Sequence, residues 1–137
     1  MQTRIFTGLI LSALLTASAQ AADVTVTQGW FRALPPSVPS GGYFTLHNGG
    51  AKKITLSEVQ SPACGMLMMH KSSNGGMAHV MTLDVAPGET LAFAPGGYHL
   101  MCMDAKLKLG ATVPVTFTFS QGAKLAANFA VRSATGK

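Results

Sequence analysis

Beyond its opening two dozen residues the chain sustains no helical period. Apolar and β-branched side chains instead recur in short alternating bursts: DVTVTQGWF, GYFTLHN, KITLSEVQ, CGMLMMH, MAHVMTLDV, ETLAFA, YHLMCMD, TVPVTFTFS and KLAANFAVR. Between them stand LPPSVPSGG, HNGGAK, APGE and APGG, whose glycines, prolines and asparagines favour turns. This spacing predicts an all-β sandwich or barrel of about eight or nine short strands. Alternation is clearest in TVPVTFTFS, where Val113, Val115, Phe117 and Phe119 share the face assigned to the core and Thr116 and Thr118 face the other way. Pro114 cannot donate to a ladder, so it predicts an edge position or a bulge there.

The opening MQTRIFTGLILSALLTASAQAADV has a different character. Arg4 precedes an apolar run from Ile5 to about Leu15, and Ala19-Gln20-Ala21 fits an A-x-A cleavage site. Residues 1–21 therefore read as a secretory signal peptide, cleaved near Ala21, with the mature protein exported. The run is shorter than the roughly 20 residues a spanning helix needs, so no membrane insertion is expected after cleavage. Residues 22–137 are enough for a single domain with its own core.

Charge and motif content exclude several function classes. Ten Lys and Arg stand against five Asp and Glu, but the excess is scattered, and no basic run is interleaved with exposed aromatics, so nucleic acid is not an expected partner. Neither G-x-S-x-G nor H-E-x-x-H occurs, and Asp23, Glu58, Asp84, Glu89 and Asp104 form no evident pair, so the chain does not read as an enzyme.

Sulfur and imidazole change the picture. Apart from Met1, every methionine lies between Met66 and Met103, and so do His70, His79 and His99. Methionine packs irregular cores, but filling elsewhere in this chain is done by Val, Leu, Ile and Phe. Residues two apart share a strand face, which aligns Met66, Met68 and His70 in MLMMH, Met77, His79 and Met81 in MAHVM, and His99, Met101 and Met103 in HLMCM. If these faces converge, soft thioethers and imidazoles meet, and that donor set suits Cu(I). His47, beside NGG and outside the cluster, reads as a surface or turn histidine.

These residues resemble the periplasmic copper chaperones called PCuA(C), whose signature is H-x10-M-x21-H-x-M. His70-x10-Met81 fits its first half and His99-x-Met101 its last; only 17 residues separate Met81 from His99, whereas 21 separate Met77 from it. GWFRALPPSVPSGGYFTLHNGG and PGGYHLM extend the resemblance over nearly the whole mature chain. The resemblance implies a cupredoxin-like (Ig-like) β-sandwich holding one Cu(I) through His70, Met81, His99 and Met101, with Met77 and His79 as alternates. It further implies a monomer that delivers copper to the CuA centre of cytochrome c oxidase subunit II or to a Sco-type assembly protein.

Cys64 and Cys102 are the only cysteines, and an exported protein meets an oxidising compartment. A disulfide is the favoured reading; a free buried thiol and an occasional copper ligand are the alternatives. Two other functions compete with the chaperone: a sandwich that binds no metal and whose methionines are core, and a blue-copper electron carrier. The second needs a cysteine thiolate with two imidazoles, and no histidine follows Cys102 to complete it.

Overall fold

Hydrogen bonding between strands distant in sequence sets the architecture. The computed structural model describes residues 23–137. Within them ten strands follow one another: β1 (Val24–Arg32), β2 (Ser40–Asn48), β3 (Ile54–Gln60), β4 (Met66–Ser73), β5 (Gly76–Val80), β6 (Leu83–Val85), β7 (Thr90–Phe93), β8 (Tyr98–Met103), β9 (Thr112–Phe119) and β10 (Lys124–Arg132). The expected signal peptide, residues 1–21, lies outside the described residues. Among the described residues no helix is long and apolar enough to cross a membrane.

The strands form one ladder in the order β5-β4-β8-β7-β2-β1-β10-β9-β3-β6, with a further pairing of β8 to β2. Most neighbours are antiparallel, but β1 runs parallel to β10, with Trp30, Phe31 and Arg32 opposite Ala130, Val131 and Arg132. The ladder curls until its halves face each other as a nearly closed sandwich. Phe44 of β2 meets Phe117 of β9 and Phe129 of β10 at ring-centroid distances of 5.0 and 5.9 Å.

Ten strands replace the eight or nine expected, because MAHVMTLDV does not continue as one element. Gly76–Val80 pairs with β4 at one end of the ladder, whereas Leu83–Val85 pairs with β3 at the other. The chain leaves one end at Met81 and Thr82 to reach the opposite end.

Pro114 departs from expectation in an instructive way. Strand β9 lies between β10 and β3 and is no edge, but its pairing with β3 covers only Thr116–Phe119. At Pro114, opposite Asn128 of β10, the other side of the strand is unladdered, and Ser61 Oγ donates to the Pro114 carbonyl at 2.7 Å. The missing N–H therefore costs the sheet no hydrogen bond.

Val115, Phe117 and Phe119 are buried as their alternation requires, together with Phe31, Phe44, Leu46, Leu56, Leu100 and Phe129. Asn48 is a buried polar residue with all its partners: Nδ2 donates to the carbonyls of Lys52 and Val85, and Oδ1 accepts from the Gly50 amide. It fixes the HNGGAK turn against β6.

Phe44 joins both halves of the core, also stacking on Phe93 at 4.2 Å. Phe44→Ala should cost about 3–5 kcal/mol, read as a lower denaturant midpoint, whereas Val38→Ala at an exposed site should cost little.

Candidate metal centre

The register of β4 against β8 places the donors. Met66 lies opposite Met103, Met68 opposite Met101 and His70 opposite His99. Their sequence neighbours Met69, Leu100 and Cys102 belong to the hydrophobic core. The donor side chains therefore share the outer face of these two strands, since alternate residues point to opposite sides. Directly opposed side chains on such a face have Cβ atoms about 4.5–5.5 Å apart.

Strand β5 extends the row. Ser73 pairs with Gly76 across the two-residue turn Asn74-Gly75, where Gly75 takes a φ of 83° that favours glycine. That turn sets His79 opposite His70 and Met77 opposite Ser72. The imidazoles of His79, His70 and His99 consequently stand side by side, with ring centroids 5.6 Å apart for His70 and His79 and 5.8 Å for His70 and His99.

A contact at His99 and a missing partner at His70 bear on their nitrogen lone pairs. His99 is 7% exposed, and its Nδ1 stands 3.1 Å from the Gly97 carbonyl. A carbonyl can only accept, so Nδ1 carries the hydrogen and Nε2 keeps its lone pair, the tautomer that a metal ligand needs. In His70, Nδ1 is buried without a hydrogen-bond partner. An orphaned buried nitrogen is costly in a protein that offers it nothing, and it fits a site completed by a bound ion.

The candidate residues do not all assemble equally. His70, His99, Met101 and His79 come together, and Met77 lines one depression with His99, Met101, Ser72, Tyr43 and Arg32. Met81 stands one residue beyond the end of β5 and is 71% exposed; an unbroken β5 register would carry it into the row of Met68 and Met101. Met69 packs in the core at 4% exposure. His47 sits apart on β2, its Nδ1 2.8 Å from Thr90 Oγ1.

The donor chemistry is restricted. Among the described residues no three His, Cys, Asp or Glu side chains are placed to hold a metal ion, and the donors paired next to His70 and His99 on this face are the thioethers of Met68 and Met101. A set of thioethers and imidazoles favours soft, low-charge ions over calcium or magnesium. Cys64 and Cys102 are joined as a disulfide with Cα atoms 5.3 Å apart, tying the segment before β4 to the middle of β8. Neither supplies the thiolate that a blue-copper centre requires.

One cation and its aromatic ring border the donor face, and a second such pair lies on the other side of β4 and β8. The Arg32 guanidinium stands 5.8 Å from the Tyr43 ring centroid and Lys71 Nζ stands 5.0 Å from that of Tyr98. Gly41 lies opposite Met101, and a Cβ there would stand 2.5 Å from the Tyr43 hydroxyl oxygen. Glycine lets that ring lie flat beside the donors.

Comparison with known proteins gives this geometry a context. The family model described as "Putative lipoprotein LpqE-like" matches residues 24–131. The "Putative lipoprotein Lxx21020" of Leifsonia xyli subsp. xyli is 29% identical over 114 residues, covering 78% of this chain and 68% of that protein. Among solved structures, Cu(I)-DR1885 from Deinococcus radiodurans is 30% identical with a TM-score of 0.62, covering 80% of this chain and 76% of that one. The copper-bound PCuAC domain of PmoF2 has a TM-score of 0.70 over 81% of this chain and 93% of that one; at 20% identity the likeness is one of fold.

Burial, followed by the neighbouring His99 and His79 imidazoles, holds the His70 pKa below its ordinary 6.5. A depressed histidine binds its proton more readily in the unfolded chain. The associated stability is therefore present above about pH 6.5 and is lost as pH falls from there through the lower folded value. The metal-free protein should show a falling thermal midpoint from about pH 7.5 to about pH 5, and His70→Gln should flatten that decline.

Proposed function

The chain belongs to the LpqE-like, or PCuA(C), family, and from that premise we propose that it is an exported copper chaperone that captures Cu(I) on the outer face of β4 and β8. The observation that carries this reading is the pairing of His70 with His99 directly beside that of Met68 with Met101. Support for copper as cargo comes from the relative whose structure holds Cu(I), and from a donor set that no hard ion prefers. The lipoprotein names of the relatives and the signal-like opening of the sequence support export, with the periplasm as the destination.

The ligands of this reading are His70, His99 and Met101, with a thioether from the β4–β5 hairpin as the fourth. Met81 keeps the H-x10-M spacing and, at 71% exposure, is free to swing toward Met68 and Met101. Met77 already lines the depression beside His99 and serves as the alternate, and His79 adjoins His70 as a spare imidazole.

Transfer follows from the chemistry of these donors. Thioether has no proton to lose, so its binding does not compete with protonation as thiolate binding does. Thiolates on a partner are stronger donors for Cu(I), and they would displace thioether and imidazole ligands one at a time from an exposed face. An acceptor of this kind is the CuA centre of cytochrome c oxidase subunit II or a Sco-type assembly protein. Exchange of a bound ion requires no bond chemistry on a substrate, so the chain acts as a carrier and not as an enzyme.

Cu(I) titration of the mature protein under reducing conditions tests the assignment. His99→Ala and Met101→Ala should each weaken the histidine-row site at least tenfold, and the double variant should abolish it. Unchanged affinity in the double variant would overturn the ligand set.

A further inference from the structure

The donor ladder extends beyond the residues just assigned. Met66 and Met103 form an additional row on the same outer face, two positions from Met68 and Met101 and four from His70 and His99. Rows on a strand face repeat about every 7 Å, so this thioether pair stands about two repeats from the histidine pair. Met66 is 57% exposed, although the core-facing Leu67 and Cys102 between these donors offered a place to bury apolar sulfur. An exposed methionine opposite another one adds little to folding.

A carboxylate adjoins this row. Asp104 directly follows Met103 and adopts a φ of 48°, a left-handed conformation that Asp tolerates better than most residues. There its side chain folds over Gly65, the neighbour of Met66: a Cβ on Gly65 would stand 2.9 Å from Asp104 Cβ and 3.0 Å from its Oδ2. The Gly65 amide also donates to the Met103 carbonyl at 2.9 Å, closing this end of the two strands. Among the described residues the one salt bridge joins Lys53 to Asp84, so the Asp104 charge is not consumed by a cation.

We propose that Met66, Met68 and Met103, with the Asp104 carboxylate beside them, form a second soft-cation site at the open end of the ladder, taking Cu(I) or Ag(I), which has the same charge and a d10 shell. Three thioethers select a soft monovalent ion, and the carboxylate lowers the potential where that ion arrives. The site shares no ligand with the histidine row. It gives the ladder an outer position from which an ion can pass through Met68 and Met101 to His70 and His99.

Ag(I) titration of the mature protein, followed by the methionine methyl resonances, separates the two sites without a reductant. Wild type should take two equivalents, one shifting the Met101 methyl and the other shifting those of Met66 and Met103. Met66→Leu/Met103→Leu, which conserves volume, should lose one equivalent and keep the Met101 shift. His99→Ala/Met101→Leu should keep the equivalent that shifts Met66 and Met103. Two equivalents in Met66→Leu/Met103→Leu, or Met66 and Met103 methyls unmoved in wild type, would overturn the second site. Loss of the Met101 shift alone from wild type would count against the histidine row and leave the outer site standing.

Discussion

The pairing register of β4 with β8 is the constraint on which the site depends. Because the side-chain period of a strand is two, a slip of one residue would exchange the faces of β4. Met66, Met68 and His70 would turn inward, and Leu67, Met69 and Lys71 would turn to solvent. Burying the His70 imidazole and exposing Met69 and Leu67 would be heavily disfavoured. The hydrophobic core thus enforces the row of His70 and His99.

Three features clamp the register from different sides. The Cys64–Cys102 disulfide ties the approach to β4 onto the core side of β8, behind the donor face. The Gly65 amide donates to Met103 at one end, and the Ser72 amide donates to the Gly97 carbonyl at the other. Gly97 also receives the His99 ring hydrogen, so a single peptide carbonyl both bounds the strand pair and selects the tautomer of a donor imidazole. Donors held this way meet an ion with little loss of freedom, whereas the exposed thioethers of Met66, Met77 and Met81 keep the mobility that exchange requires.

Much of this was legible in the residues, for physical reasons that differ along the chain. Alternation in TVPVTFTFS located core positions because a half-buried strand has no other pattern. Parity in MLMMH and HLMCM placed donors on common faces. The cross-strand partners were not legible, since His70 and His99 are 29 positions apart and composition says nothing about ladder order. One local signal did hold more than was read from it: Asn74-Gly75 between alternating runs predicts a two-residue hairpin, and that turn alone sets His79 opposite His70. The division of MAHVMTLDV was hidden because both halves alternate in phase, so only the tertiary pairing of Leu83–Val85 with β3 reveals that Met81 lies at a crossing. Pro114 warned of an interrupted ladder, but the gap proved to be one side of an interior strand closed by Ser61.

A carrier must hold its cargo against water yet yield it to a partner, and the donor face suits both demands. In the proposed site the His99 imidazole, held by the Gly97 carbonyl, serves retention, and thioethers at the surface serve release. X-ray absorption at the copper edge, on protein loaded with one equivalent of Cu(I), reads the bound shell directly. The ladder predicts imidazole nitrogen and thioether sulfur together around the ion; a shell of nitrogen and oxygen with no sulfur would contradict it.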